Sequence, residues 1–232
     1  RRLSPVELAQ HFLERIGTYD DRLNAFMVVT ADRALAGARA AEAALAGGVD
    51  LGPLHGIPVA VKDLFDVTGL PTTAGSILLR DRIATRNAAA VGRLLGAGAA
   101  LLGKAHMVEF AFGGAGVNHH YGTPWNPWDA DVPRLPGGSS SGCAVAVAAG
   151  LAPAALGSDT GGSVRIPASF CGLVGLKPTH GRISVAGMLP LDSALDTVGP
   201  LTHTVADAAF LLGVLAGPDP EDDATAKPPL LP

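Results

Sequence analysis

The chain of 232 residues has a formal net charge of −4, which excludes the strongly basic surface by which proteins bind nucleic acids directly. Hydrophobic residues make up 48% of it and charged residues only 16%, so it can bury a large core. Its longest apolar stretch, residues 144–157, is interrupted by Gly150 and Pro153 and is too short to span a bilayer. No charged segment followed by an apolar run opens the chain. We therefore expect a cytoplasmic globular protein that contacts neither nucleic acid nor membrane.

Hydrophobic periodicity and helix signals predict a chain in which helices and strands alternate. Ser4, Pro5 and Glu7 form a capping box with proline at the first helical position, and Gly47-Gly48 ends an alanine-rich helix. The predicted helices are residues 5–16, 31–46, 88–95, 143–149 and 204–215, and the predicted strands are residues 25–30, 59–62, 99–102 and 154–156. This alternation favours an α/β sandwich built on a mixed β-sheet. We expect one domain over residues 1–217, followed by an acidic, proline-rich tail or linker over residues 218–232.

Three residues of the sequence are candidates for a nucleophile and its base: two serines in glycine-rich turns and one lysine in an apolar strand. Ser139 lies in the segment LPGGSSSG, Ser163 in TGGSVRIP and Lys62 at the end of IPVAVK. A serine hydroxyl needs a base to become a nucleophile, and neither turn contains a histidine. A lysine can serve as that base if burial keeps its amine neutral near pH 7. Asp63 follows Lys62, but neighbouring side chains of a strand point to opposite faces, so the two need not pair.

The turn that contains Ser163 has the composition of an oxyanion-binding turn. Its four consecutive backbone amides belong to Thr160, Gly161, Gly162 and Ser163. They can point to one place, because glycine adopts backbone angles that other residues avoid. Donors aimed at a developing oxyanion each lower a barrier by about 3 kcal/mol. Asp159 and Arg165 flank the turn, and we expect them to brace it by hydrogen bonds to its backbone or to each other.

A second catalytic pattern overlaps the first serine turn. Residues 138–142 match G-x-S-x-G, the nucleophile elbow of α/β-hydrolases, with Ser140 as the nucleophile. Candidate acids and bases for such a site follow later in the chain, at Asp192, Asp196 and His203. The elbow must follow a strand, however, and the preceding residues 125–136 are rich in Pro and Asp and are predicted to form a loop. The elbow is therefore the weaker interpretation.

The remaining polar residues have structural interpretations. Residues 98–104 begin like a phosphate-binding loop, but Ala105 stands where Mg²⁺ binding needs Ser or Thr, so Lys104 is interpreted as structural or pocket-lining. No metal is expected, because the histidines, including adjacent His119 and His120, lack the spacing of a metal site. Three further residues are assigned to the interior or to a helix cap: Cys143 and Cys171 as buried thiols of a reducing compartment, and Ser141 as the cap of the helix near Cys143.

The stretch from Gly137 to Pro167 resembles the signature of the amidase signature family of serine hydrolases. It contains Gly-Gly-Ser-Ser-Ser-Gly, then an alanine-rich helix, then Asp-x-Gly-x-Ser-Val-Arg-x-Pro. The resemblance extends through GIPVAVKD and GLVGLKPT and covers nearly the whole chain, to about Gly217. It implies an amidase-signature-type α/β/α sandwich around a mixed β-sheet, with neither a metal nor an organic cofactor.

The resemblance, and not the spacing alone, assigns roles to individual residues. Ser163 matches the acyl-accepting nucleophile, Ser139 the bridging serine that follows a cis peptide bond and relays the proton, and Lys62 the base that receives it. Supporting roles fall to Ser140 and to the flanking Asp159 and Arg165. The amides of Thr160, Gly161, Gly162 and Ser163 match the oxyanion hole, and the loop FAFGGAG, with Ala111 and Gly113, matches a wall of the acyl pocket.

The implied activity is hydrolysis of the C–N bond of a small-molecule carboxylic amide through an acyl-enzyme. One alternative is the glutaminase component of a glutamine-dependent amidotransferase (its A component), which supplies ammonia to a partner subunit. Another is a catalytically silent amidase-like protein, although the presence of Lys62, Ser139 and Ser163 speaks against it. Either a homo-oligomer or a complex with a partner subunit fits. Relatives are considerably longer, so we expect this chain to correspond to their N-terminal half and to be incomplete at its C-terminus.

Overall fold

The computed structural model describes residues 3–226, and this part of the chain contains six α-helices and six strands. The helices are α1 (Pro5–Leu23), α2 (Ala31–Ala46), α3 (Ala89–Gly96), α4 (Ser141–Ala148), α5 (Arg165–Cys171) and α6 (Val205–Leu215). The strands are β1 (Phe26–Val29), β2 (Pro58–Lys62), β3 (Ala100–Ala105), β4 (Ala154–Asp159), β5 (Val174–Gly175) and β6 (Thr197–Thr202). The expected α/β class is confirmed.

The six strands form one mixed sheet in the order β1-β3-β2-β4-β6-β5. The inner strand β2 is parallel to both β3 and β4, whereas β1, β6 and β5 run antiparallel to their neighbours. Because parallel strands share a direction, β2, β3 and β4 end at the same edge of the sheet. Lys62 ends β2 and Asp159 ends β4, so the topology alone brings the lysine and the glycine-rich turn after Asp159 to one place.

Side chains of the inner strand alternate between two apolar cores, one on each face of the sheet. Val59 and Val61 pack in the core that contains Leu94 of α3 and Leu211 of α6. Ala60 packs on the opposite face, in the core to which α1, α4 and α5 contribute. Each face is thus covered by helices, which gives the expected α/β/α sandwich.

Several elements extend beyond their predicted bounds. Helix α1 continues past Ile16 to Leu23 and ends at Asn24, which adopts the left-handed conformation (φ 51°) and donates its backbone N–H to Asp20. Its last turns are mostly polar and surface-exposed, so they carry no apolar period to detect. Strands β3 and β4 continue through Lys104 and Ser158, polar residues that are buried because each has polar partners inside the protein.

Helix α5 and strand β6 were not predicted, and proline explains both omissions. Pro167 lies in the first turn of α5, where its missing N–H has no partner within the helix. Pro200 lies inside β6 beside Gly199, a pair that argues against a strand interior. Glycine is required at position 199, because a Cβ there would lie 2.2 Å from the Leu176 carbonyl oxygen. Pro200 is tolerated because its carbonyl still accepts a hydrogen bond, from the Leu176 N–H.

The expected tail begins at Pro218, and residues 218–226 of it lie within the part of the chain that the structure describes. These residues pack against the domain. Asp219 accepts a hydrogen bond from Ser184 (2.5 Å), Asp222 accepts one from the Val185 N–H (2.9 Å), and Thr225 is buried. The last part of the expected tail, residues 227–232, lies outside the described residues.

Candidate active site

Lys62, at the end of β2, contacts the Ser139 segment and the neighbouring strand β4. Its Nζ donates hydrogen bonds to Ser139 Oγ (2.7 Å) and to Ser158 Oγ (2.9 Å), and its side chain is fully buried. Strand alternation carries Lys62 to the same side as Ala60, where α4 covers the sheet. Ser158 was not among the residues predicted for the site, although its position on β4, one residue before Asp159, is the signal that could have indicated a role.

Burial controls the charge of this lysine. Loss of hydration disfavours the ammonium form and lowers the pKa of Lys62 to about 7. Nearby groups that carry negative charge when ionised, Cys143 first among them, act in the opposite direction without cancelling this effect. A substantial share of the Lys62 amines is therefore neutral at pH 7, as a general base requires.

The segment around Ser139 connects the lysine to the second glycine-rich turn. The peptide bond between Gly138 and Ser139 is cis. The next residue, Ser140, donates its backbone N–H to the Ser163 carbonyl (3.2 Å), so the two serine segments are joined directly. The Ser140 hydroxyl is buried and donates to the Ser158 carbonyl (3.2 Å). Ser139 and Ser140 thus bridge Lys62 on one side and the Ser163 turn on the other.

Asp159 holds the turn from residue 160 to residue 165. Its buried carboxylate accepts hydrogen bonds from the backbone of Gly162 (2.9 Å) and Val164 (3.1 Å), and it pairs with the guanidinium of Arg165 at 2.9 and 3.0 Å. Burial alone would raise the pKa of the Asp159 carboxyl, but the hydrogen bonds from Arg165 and from backbone amides hold it below its ordinary value. The braces expected from Asp159 and Arg165 are therefore present as hydrogen bonds.

The same interactions determine which amides of the turn are available. The Gly162 N–H is engaged by Asp159, whereas within the described chain the N–H groups of Thr160, Gly161 and Ser163 have no hydrogen-bond acceptor. Free amides on both sides of a fixed glycine are the arrangement that an oxyanion site needs. Gly162 itself has a φ of 131°, a conformation open to glycine and rarely to other residues.

Asp196 is a second carboxylate that supports the turn, although its predicted role was only that of an acid in the elbow alternative. It is buried, accepts a hydrogen bond from the Thr160 hydroxyl, and accepts two more from the backbone of Leu191 (2.8 Å) and Asp192 (3.2 Å). It therefore ties the turn to the segment before β6. Its spacing from the turn in sequence gave no signal of this contact.

A cleft of about 430 Å³ opens beside Ser163. It is lined by small and apolar residues together with one carboxylate: Ala111, Phe112, Gly113, Gly114, Thr160, Gly161, Ser163, Ile166, Leu191 and Asp192. Ala111 and Gly113, which the family resemblance places in the acyl pocket, are among them. Ser163 is 8% exposed, so the cleft provides its access to solvent.

The alternative patterns are not supported by the geometry. Residues 125–136 form no strand, and the Ser140 hydroxyl is buried, so the nucleophile elbow is absent. His203 bonds to the Val147 carbonyl (2.9 Å) instead of to a serine. Lys104 lies in β3, 2.8 Å from Asp63, and not in a phosphate-binding loop. This ion pair also shows that Asp63 points away from Lys62, as alternation predicts.

The predicted helix cap at Ser141 was wrong, whereas the cysteines and His120 have ordinary structural surroundings. Ser141 does not cap α4: it is the first residue of that helix, and its buried hydroxyl has no hydrogen-bond partner in the described structure. Cys143 and Cys171 are buried free thiols, and burial raises the pKa of each to about 12. His120 pairs with Glu109 (3.0 Å).

Within residues 3–226 there is no group of three potential metal-ligating side chains, and every helix is too short or too polar to cross a bilayer.

Comparison with known proteins identifies the family of this chain. The family model described as Amidase matches residues 7–231. The chain belongs to the amidase family. Solved amidase structures share its fold: native peptide amidase from Stenotrophomonas maltophilia superimposes with a TM-score of 0.93 at 41% identity, over 99% of this chain and 48% of that one. A chain from a vestigial protein complex related to the origins of an s-triazine catabolic enzyme gives 0.93 at 46% identity, over 96% of this chain and 49% of that one.

Curated relatives within the amidase family include components of glutamyl-tRNA(Gln) amidotransferases. The A component of this amidotransferase from Chloroflexus aurantiacus is 50% identical over 224 residues, which cover 97% of this chain and 46% of the relative. The corresponding protein of Ralstonia nicotianae is 51% identical over 228 residues, which cover 98% of this chain and 45% of the relative. The chain thus spans about half the length of the curated relatives that it matches.

Proposed function

We propose that this protein hydrolyses carboxylic amides through an acyl-enzyme, with Ser163 as the nucleophile, Ser139 as the proton relay and Lys62 as the base. The observation that carries the proposal is the 2.7 Å hydrogen bond between Lys62 Nζ and Ser139 Oγ, made by a fully buried lysine whose pKa is lowered to about 7. A lysine in this state accepts a proton at neutral pH, which a surface lysine does not.

The reaction begins when Ser163 Oγ attacks the amide carbonyl carbon. Its proton passes to Ser139 Oγ as the proton of Ser139 passes to Lys62, so the relay leaves Ser139 unchanged. The negative charge moves to the carbonyl oxygen, where the free amides of Gly161 and Ser163 donate to it. The Gly162 amide, also expected at the oxyanion hole, donates to Asp159 instead. Thr160 bonds to Asp196 through its hydroxyl, so its amide stays available as a further donor.

Collapse of the tetrahedral intermediate breaks the C–N bond. The leaving amine takes the proton back from Lys62 through Ser139, and Ser163 is left acylated. Water then attacks the acyl carbon while its proton passes to the same relay. The bond between the acyl carbon and Ser163 Oγ breaks, the relay returns the proton to Ser163 Oγ, and the acid is released. Every proton is returned, so the cycle needs no metal and no organic cofactor.

Release of ammonia or amine from simple amides tests this proposal. Replacement of Ser163 by Ala should reduce the rate by about 10³-fold or more, because no other group can form the acyl-enzyme. Ser169→Ala, a substitution of an exposed serine on α5, is the matched control and should leave the rate unchanged. Equal rates in the Ser163→Ala variant and the original protein would refute the assignment, and the absence of any hydrolysis would favour a catalytically silent protein.

A second candidate function is favoured by the relatives named as A components of glutamyl-tRNA(Gln) amidotransferase, at 50–51% identity. In that case the same three residues would act as a glutaminase that supplies ammonia to a partner subunit. The two functions differ in their dependence on partners. Glutamine hydrolysis that appears only when amidotransferase partner subunits are added would identify the second function, whereas hydrolysis of amides by the isolated chain would identify the first.

A further inference from the structure

The cleft beside Ser163 has an uneven distribution of charge. Nine of its ten lining residues are small, apolar or uncharged, and Asp192 is the one ionisable side chain among the described residues that line it. Apolar contacts come from Phe112, Ile166 and Leu191. Asp192 is exposed, so its carboxylate is accessible to a charged group of a substrate that enters the cleft.

Neighbouring charges do not neutralise this carboxylate. The guanidinium of Arg165 is paired with Asp159 at 2.9 and 3.0 Å. Lys62 lies behind Ser139 in the interior and contacts that serine instead of the cleft. Among the described residues, no Lys, Arg or His side chain forms an ion pair with Asp192.

The position of Asp192 is fixed by the protein. Its backbone N–H donates to buried Asp196 (3.2 Å), and its carbonyl accepts from the N–H groups of Leu195 (3.1 Å) and Asp196 (2.8 Å). Its Oδ1 accepts one hydrogen bond, from the Ala194 N–H (2.9 Å), which leaves acceptor capacity on the carboxylate. Because Asp196 also accepts a hydrogen bond from Thr160, it links the backbone of Asp192 to the turn that bears Ser163.

We propose that Asp192 is a specificity-determining residue that selects amides bearing a positively charged amine and discriminates against amides bearing an anionic group. The inference rests on the proposed function, because it concerns the substrate of the Ser163 cleft. The apolar wall receives the uncharged part of such a substrate, and the ammonium group approaches Asp192. The substrate class is thus an amide that combines an apolar body with an amino group.

Three alkyl fluorophosphonates of equal length test the inference on the full chain: one that ends in a trimethylammonium group, one in a methyl group and one in a sulfonate. All three phosphonylate a nucleophilic serine by the same chemistry, in which the serine oxygen bonds to phosphorus and fluoride leaves, so rate differences report the charged end. The cationic probe should label Ser163 about 10-fold faster than the anionic one at low salt, and the ratio should fall as salt is added.

The variant Asp192→Asn removes the charge and keeps an oxygen that can accept from Ala194, so it should remove the preference while preserving the fold. Asp21→Asn removes one negative charge from α1, away from the cleft, and should keep the preference. Asp192→Lys should reverse the order of the probes.

Equal labelling of Ser163 by all three probes would overturn the inference and leave the proposed function intact. So would a preference that persists in Asp192→Asn to the same extent as in Asp21→Asn. Absence of label on Ser163 with every probe, the neutral one included, would refute the proposed function and the inference together.

Discussion

Replacement of Lys62 by methionine tests whether the buried lysine makes the stability of the protein depend on pH. The lysine is buried with a pKa of about 7, whereas a lysine in the unfolded chain titrates near its ordinary value of 10.5. Below pH 7 the amine is charged in both states, and the folded protein bears the full cost of burying that charge. Between pH 7 and 10.5 the unfolded chain binds more protons than the folded one, so the stability of the protein rises with pH.

The size of this effect follows from the pKa. One pH unit within that interval is worth about 1.4 kcal/mol, so the change between pH 6 and pH 9 amounts to about 3 kcal/mol. Methionine has no proton to lose and lacks this dependence. The free energy of unfolding of the original protein should therefore increase by about 3 kcal/mol relative to that of Lys62→Met over this range, while labelling of Ser163 is abolished in the variant.

Urea unfolding at pH 6, 7.5 and 9, followed by tryptophan fluorescence, measures the difference. Other titrating groups are shared by the two proteins and cancel in the subtraction. Lys177→Met, outside the site, controls for the loss of one lysine. Parallel stability curves for the original protein and Lys62→Met would show that Lys62 keeps its ordinary charge when buried, and would refute its role as a base.

Three further substitutions test the supports of the site. Asp159→Asn removes the charge that pairs with Arg165. The free energy of unfolding should fall by about 3 kcal/mol, and the rate of labelling of Ser163 should fall more than tenfold. An unchanged urea midpoint would contradict the stabilising role of Asp159 in the turn. Gly162→Ala places a Cβ 2.7 Å from Ile166 Cδ1 at a φ of 131°. This substitution should lower the free energy of unfolding by about 1–3 kcal/mol and slow the labelling of Ser163. Unchanged stability and labelling would show that the turn tolerates a side chain at this position. Asp196→Asn removes a negative charge that raises the pKa of Lys62, so the midpoint of the pH profile of labelling should move to lower pH, and a shift to higher pH would contradict the electrostatic argument.

The sequence was sufficient for the residues whose environment is local. Helix α2 has its predicted bounds because alanines favour helix and Gly47-Gly48 ends it, and β2 was recognised from a short apolar run. The end of β2 at Lys62 followed from the same run. The family resemblance, which the match to the Amidase model confirms, supplied the pairing of that lysine with the serine segments.

The sequence was insufficient where distant contacts override local signals. Pro200 argues against a strand, yet β6 forms because β4 and Leu176 hydrogen-bond to it from opposite sides. Ser158 and Asp196 acquire their contacts with Lys62 and Thr160 only through the sheet and the segment before β6. Ser141 was assigned as a cap from its position beside a helix, but the helix begins at that residue and its hydroxyl is left without a partner within the described chain.

The central claim is that Lys62, acting through Ser139, activates Ser163. Labelling with a neutral fluorophosphonate, followed by peptide mapping of the modified residue, tests it most directly. We expect a single label on Ser163, at a labelling rate that rises as the pH passes through about 7, and we expect no label in Lys62→Ala. A label on Ser140, or a label on Ser163 that persists at the original rate in Lys62→Ala, would contradict it.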